Sequence, residues 1–184
     1  SAMGVEFRDY DNDGLPDLHV TALAGESFPL YKNLGKGLFQ DVTYRTGLGP
    51  VVAGRSGWSN GLLDFDNDGW KDLFTANSHV NDSIDQFEAF AYRLPNSVFR
   101  NRGDGTFADA TAGSGLSKPL DTLSVGAAWF DYDNDRLLDL VVSDYTIWTP
   151  GTDFQCADAM KREIYCSPTR YISVPNRLYR NLGN

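Results

Sequence analysis

Basic residues, histidine, cysteine and long apolar runs are all scarce in this chain, and each scarcity closes off a class of function. Lys and Arg number 16 against 25 Asp and Glu, giving a formal charge of −9 and a pI near 4.5. With no basic stripe to track a phosphate backbone, nucleic acid is not an expected partner. No stretch approaches the roughly 18 apolar residues of a membrane span, and no secretory leader is legible. Ser1-Ala2-Met3 reads as the remnant of a cleaved expression tag over residues 1–3, so export stays open. The two histidines, His19 and His79, have no second histidine or cysteine near them, so zinc lacks its usual ligands. No Gly-x-Ser-x-Gly, His-Glu-x-x-His or phosphate-binding glycine loop occurs. The two cysteines, Cys156 and Cys166, stand too far apart for a CxxC pair. They form either a local disulfide closing a loop, which points to an oxidising compartment, or two independent thiols.

Aspartate is the residue in surplus, and it is patterned. Asp9-Tyr10-Asp11-Asn12-Asp13-Gly14-Leu15-Pro16-Asp17 recurs as Asp64-Phe65-Asp66-Asn67-Asp68-Gly69-Trp70-Lys71-Asp72 and as Asp131-Tyr132-Asp133-Asn134-Asp135-Arg136-Leu137-Leu138-Asp139. Carboxylates at positions 1, 3, 5 and 9 of a nine-residue turn repel one another unless a cation offsets them. A hard, oxygen-seeking ion with loose geometry fits best, so the expected cofactor is Ca²⁺, up to three ions. The predicted ligands are Asp9, Asp11, Asp13 and Asp17; Asp64, Asp66, Asp68 and Asp72; and Asp131, Asp133, Asp135 and Asp139. The position-7 carbonyls of Leu15, Trp70 and Leu137 complete the shells. Three divalent ions would bring the formal charge from −9 to −3; the bland alternative is a solvated acidic face. Magnesium, with its strict octahedral demand, fits less well. An EF-hand needs Glu at position 12 and flanking helices, whereas Val20, Thr75 and Val142 stand there between strand-like flanks. Position 6 calls for a sharp turn, which Gly14 and Gly69 make cheaply. Arg136 replaces glycine in the third loop at about 1 kcal/mol if positive φ is needed, which predicts a weaker third site.

Each loop leads into an apolar, β-branched run: Leu18 to Ala22, Leu73 to Ala76 and Leu140 to Ser143. A second strand follows at Leu30 to Asn33, Ser97 to Asn101 and Arg177 to Asn181. In the first two units a glycine-marked hairpin then leads to a third run, Leu38 to Thr43 and Phe107 to Thr111. The third unit stops at Asn184, before that run. Gly47 to Gly57 reads as a connector, and Ile84 to Tyr92 is helix-compatible. Tyr10, Phe65 and Tyr132, with Tyr31, Phe99 and Tyr179, recur in register and read as packing between sheets; His19 reads as a strand residue beside the first loop. Asn33 to Asp64 is 31 residues and Asn101 to Asp131 is 30. From Asp17 to Tyr31, Asp72 to Phe99 and Asp139 to Tyr179 the spacing grows from 14 to 27 to 40. All length variation therefore falls at one equivalent place, and those excursions should share one face, the candidate recognition surface.

The Asp-x-Asp-x-Asp-Gly-x-x-Asp loops, with Tyr-x-Asn-x-Gly-x-Gly-x-Phe-x-Asp-x-Thr, resemble the FG-GAP/VCBS-like repeats of integrin-alpha-type β-propellers. The third excursion, with Tyr145, Trp148, Cys156, Tyr165-Cys166-Ser167-Pro168, Tyr171 and Pro175, is similar to the ASPIC/UnbV-associated, cartilage-acidic-protein-like subgroup. The resemblance spans Val5 to Asn184 and departs from the family pattern at Arg136 and Arg102. It implies an all-β fold of four-stranded propeller blades whose calcium loops join two strands of a blade, in secreted, periplasmic or cell-surface proteins of commonly about seven blades. This chain holds about three: repeat 1 near 5–50, repeat 2 near 57–116 and repeat 3 near 124–184, one domain over 5–184. Such an arc is a partial propeller, completed by the remaining blades of a larger chain or by self-association as a homo-oligomer.

The expected function is a calcium-stabilised scaffold for extracellular or periplasmic recognition of a protein or glycan. Two readings compete with it: purely structural blades of a larger protein, and a hydrolase or lyase on the excursion face using His79, Asp82 or Asp85. No catalytic residue is assigned.

Overall fold

The computed structural model describes residues 2–81, 83–117, 122, 124–147, 151 and 154–183. Ser1, Asp82, Trp148 and Asn184 lie outside them. The first sheet is an antiparallel meander of β1 (Val5–Arg8), β2 (Asp17–Val20), β3 (Leu30–Asn33) and β4 (Phe39–Asp41). The second repeats it with β5 (Gly57–Leu63), β6 (Asp72–Asn77), β7 (Ser97–Asn101) and β8 (Phe107–Asp109). The third begins with β9 (Ser124–Phe130) and β10 (Asp139–Asp144). A separate two-stranded hairpin intervenes, β11 (Cys156–Ala157) with β12 (Glu163–Ile164), before β13 (Arg177–Tyr179) pairs back on β10. Among the described residues the third sheet has three strands, in the order β13-β10-β9.

Pairing register makes the three sheets superimposable in outline. Phe7, Leu18 and Tyr31 stand side by side in the first, Leu62, Leu73 and Phe99 in the second, and Trp129, Leu140 and Tyr179 in the third. Leu62, Leu73 and Phe99 are fully buried in one core with Tyr10, Leu30 and Val42 of the first sheet. Burial at this level is worth about 1.5–3 kcal/mol per side chain. Leu140, Trp129 and Tyr179 pack with Phe74 and Ala76 in a second core between the second and third sheets. In each sheet this row therefore faces the preceding sheet. The corresponding row of the first sheet has none before it among the described residues, and Phe7 is 54% exposed.

Close approach between sheets explains two glycines. A Cβ on Gly57 would meet the Phe28 ring at 2.8 Å, and one on Gly61 would meet the Trp129 ring at 2.5 Å. Two readings of the sequence change. The connector after Gly47 contains a five-residue helix, α1 (Leu48–Val52), despite Gly49 and Pro50. It forms because Leu48 and Val52 are fully buried in the first core, where packing overrides propensity. From Ile84 to Tyr92 only a single 3-10 turn forms, Ile84–Gln86. There Ile84 is buried but Phe87 is 75% exposed, so the segment has no apolar stripe to bury. The excursion before β13 carries the β11–β12 hairpin, and Cys156 is disulfide-bonded to Cys166 across it.

In a meander, the β1–β2 type of loop and the β3–β4 type of hairpin lie at one end of a sheet, and the β2–β3 type of connection at the other. The three acidic loops therefore share one end and the excursions the opposite one. The first two excursions are in contact: a Cβ on Gly25 would lie 3.4 Å from the Phe90 ring.

Candidate metal centres

The acidic loops adopt one backbone conformation three times. Position 4 has positive φ at Asn12, Asn67 and Asn134, and position 6 has φ of 87° at Gly14, 92° at Gly69 and 73° at Arg136. Arg136 thus takes the left-handed turn that glycine makes without strain, at the cost expected for an L residue. The position-1 carboxylate folds inward in each loop. Asp9 accepts from the backbone N–H groups of Asp13 and Gly14, Asp64 from Asp68 and Gly69, and Asp131 from Asp135 and Arg136. Position 5 accepts from the N–H of position 7, namely Leu15, Trp70 and Leu137. Side chains of position 7 lie over the hairpin of the same sheet: a Cβ on Gly103 would meet the Trp70 indole at 2.9 Å, and one on Gly183 would meet Leu137 at 3.2 Å.

Position 9 does more than the sequence showed. Asp17, Asp72 and Asp139 are 0%, 3% and 0% exposed, and each carboxylate holds two backbone N–H groups. Asp72 accepts from Phe65 in the loop at 3.2 Å and from Asn101 at the end of β7 at 2.8 Å. Asp17 does the same with Tyr10 and Asn33, and Asp139 with Tyr132 and Asn181. Burial pushes the Asp72 carboxyl up to about 6; the two N–H donors oppose this, and Asp66 and Asp68 reinforce it. A carboxylate held charged against that trend calls for a cation close by.

Oxygens converge accordingly. Carboxylate oxygens of Asp9, Asp11 and Asp13 come within 4.8 Å of one another, as do those of Asp64, Asp66 and Asp72 and those of Asp131, Asp133 and Asp139. Asp17, Asp68 and Asp135 stand outside these groups. Asp11 Oδ1 is buried without a hydrogen-bond partner among the described residues, an orphan acceptor that a cation would satisfy. This donor set is all oxygen and several-fold anionic, which fits Ca²⁺.

A cation from the adjoining strand also reaches each loop, in register and unanticipated. Lys32 pairs with Asp11 and Asp13; Arg100 Nη2 lies 2.7 Å from Asp66 and 3.6 Å from Asp68; Arg180 Nη2 lies 2.8 Å from Asp133 and 3.3 Å from Asp135. The signal was present, since each of these residues immediately precedes the repeated asparagine. Being half-exposed, the two arginine pairs add little stability.

The asparagines stitch neighbouring sheets together. Asn101 Nδ2 donates to the carbonyls of Lys71 in its own sheet and of Tyr10 in the preceding loop; Asn181 Nδ2 donates likewise to Leu138 and Phe65. From the other direction, Asn12 Nδ2 donates to the Gly69 carbonyl and Asn67 Nδ2 to that of Arg136. Two side-chain bonds thus join successive sheets at each junction, one of them from loop to loop. A model of the FG-GAP-like repeat matches residues 9–75 and 64–142, each match running from one acidic loop through the strand that follows the next.

The chain belongs to the FG-GAP-like repeat family. Its sheets are accordingly propeller-like blades, here without closure into a barrel. No curated protein matches the chain. The other expected site residues scatter among these repeats. His19 is fully buried between blades 1 and 2, where its Nδ1 lies 2.6 Å from the Asn60 amide, and burial pushes its pKa down to about 3. His79 is 6% exposed, and its Nδ1 accepts from the Asn81 backbone N–H. Asp85 is exposed on the 3-10 turn. Tyr10 packs on Phe107 with ring centroids 5.9 Å apart and Phe65 on Trp129 at 5.5 Å, as expected of core aromatics. Tyr132 is the exception at 44% exposure, because the described chain has no fourth blade to cover it.

Proposed function

We propose that the three acidic loops each take one Ca²⁺ and that the chain is a calcium-stabilised propeller scaffold presenting a protein- or glycan-recognition surface in an extracellular or periplasmic setting. The observation that carries the metal reading is the threefold convergence of carboxylates around one backbone conformation. Side chains at positions 1, 3, 5 and 9 and the position-7 carbonyls of Leu15, Trp70 and Leu137 are the proposed donors. When bound, Ca²⁺ supplies charge neutralisation and holds the loop between two strands; the chemistry is structural. Support for the compartment comes from the family and from the Cys156–Cys166 bond. The recognition surface is assigned to the excursion end, away from the loops, where the blades differ most in length. Tyr165, Ile172 and Met160 are strongly exposed there. Within the family, the cysteine-bearing third excursion favours the ASPIC/UnbV-associated subgroup.

Isothermal titration of metal-stripped protein with CaCl₂, paired with melting in calcium and in chelator, tests the reading. Saturable uptake with a higher melting temperature in calcium is expected. Identical melting in both media, with no heat of binding, would overturn it.

A further inference from the structure

Surface ion pairs add little stability, yet the one between strand and acidic loop is built three times. Lys32 lies on β3, Arg100 on β7 and Arg180 directly after β13. Each reaches the same two carboxylates of the loop in its own sheet, those at positions 3 and 5, and the same oxygen of each, Oδ2. The loop's own bonding explains the choice. Positions 1 and 9 each accept from two backbone N–H groups, and position 5 turns Oδ1 to the N–H of position 7. The Oδ2 atoms of positions 3 and 5 are what the backbone leaves over, and the strand cation stands against them. In blade 1 Asp11 Oδ1 stays buried and unpartnered among the described residues, so the cation offsets part of the loop's charge without using up its oxygens.

We propose that Lys32, Arg100 and Arg180 are tethered counter-ions that set the affinity and charge selectivity of the loops, holding their place against monovalent cations and yielding to a divalent one. The inference rests on the reading that the loops take Ca²⁺. Each loop carries four carboxylates, and the strand cation brings that charge from −4 to −3. A sodium ion entering in its stead exchanges one unit charge for another. It must also displace a partner that its own strand keeps at an effective concentration on the order of millimolar. Ca²⁺ brings two charges and takes several oxygens at once, so it prevails, against a residual repulsion from the ammonium or guanidinium. At roughly 6 Å in a water-like dielectric, a divalent ion and a unit positive charge repel by the equivalent of about a tenfold change in Kd. Lys32, 27% exposed, comes nearest to this limit. Arg100 and Arg180, at 59% and 53%, are better screened and swing clear more easily, so about threefold is expected of each.

The test is isothermal titration of metal-stripped protein with CaCl₂, in NaCl and in choline chloride of equal ionic strength. The parent is compared with the neutral variant Lys32→Met/Arg100→Met/Arg180→Met and with the charge-keeping variant Lys32→Arg/Arg100→Lys/Arg180→Lys. The neutral variant is expected to bind calcium about three- to tenfold more tightly than the parent, and the charge-keeping variant to match the parent. Exchanging choline for sodium should leave the parent unchanged and weaken calcium binding by the neutral variant, whose loops then admit Na⁺. Arg100→Met alone, at an exposed side chain, carries the same test with about a threefold gain should the triple variant fail to fold. Calcium uptake by the parent with equal or weaker affinity in the neutral variants overturns this inference and leaves the metal reading standing. A parent that takes up no calcium overturns both.

Discussion

Replacing Asp72 by asparagine separates its proposed role as metal donor from its role as strand anchor. In chelator, Asp72→Asn sacrifices one charge-assisted acceptor and sets an amide NH₂ against a backbone N–H, at about 1–3 kcal/mol. Against this, the substitution removes a charge that burial disfavours. A carboxyl held at about 6 instead of 3.8 reports about 3 kcal/mol of strain on the ionised form. The two effects oppose each other, so the net change of stability in chelator should be small beside the calcium contribution. In calcium the balance disappears. An ion at a hundred times its Kd contributes about 2.7 kcal/mol of linkage, which the weakened loop forfeits. At about 2–4 °C per kcal/mol for a domain of this size, the melting temperature should fall by about 5–10 °C in calcium and by only about 2 °C in EGTA. Asp72→Ala is the control, because it abandons the N–H groups of both Phe65 and Asn101 and should be destabilised in both media. Differential scanning calorimetry of the parent and both variants at pH 7.5, in calcium and in EGTA, reads the differences. Equal losses for Asp72→Asn with and without calcium would refute the reasoning, since position 9 would then be an anchor and nothing more.

Other consequences are open to the same kind of measurement. Asn101→Ala leaves the buried carbonyl of Tyr10 and the partly buried one of Lys71 unpaired and should cost about 2–4 kcal/mol by urea denaturation, whereas Asn33→Ala should cost well under half as much. Gly61→Ala drives a methyl into the Trp129 ring and should destabilise by about 1–3 kcal/mol, while Gly126→Ala, with its nearest neighbour at 3.6 Å, should be tolerated. His19 is neutral in the folded chain down to about pH 3 and titrates near 6.5 when unfolded, so protons favour the unfolded state as pH falls below 6.5. Between pH 7 and pH 5 the stability of the parent should drop by about 2 kcal/mol relative to His19→Gln; parallel pH profiles for the two proteins would show that His19 is not sealed off.

The loops were legible because a carboxylate at every second position is costly without a counter-charge, and that constraint leaves a local trace. What the sequence hid was relational. Asn101 and Tyr10 stand 91 residues apart and Asn181 and Phe65 116 apart, and no local pattern announces such pairs. Their trace was the bare recurrence of asparagine in register, as lysine or arginine recurs just before it. The buried position-9 carboxylates looked identical to their exposed companions because period-2 burial begins at that residue. Helix α1 was hidden by Gly49 and Pro50, which argue for a loop until the core supplies a place for Leu48 and Val52.

Because Asn12 reaches the Gly69 carbonyl and Asn67 that of Arg136, the three turns are mechanically a single row. On the proposal that each turn takes Ca²⁺, ordering one of them presents a better-placed acceptor to its neighbour, so filling should be cooperative, and the middle turn, braced on both sides, should be the last to empty. A titration analysed as three independent isotherms would then misjudge each constant, and damage to the turn containing Arg136, which the sequence predicts to be the weakest, would be felt by its neighbour.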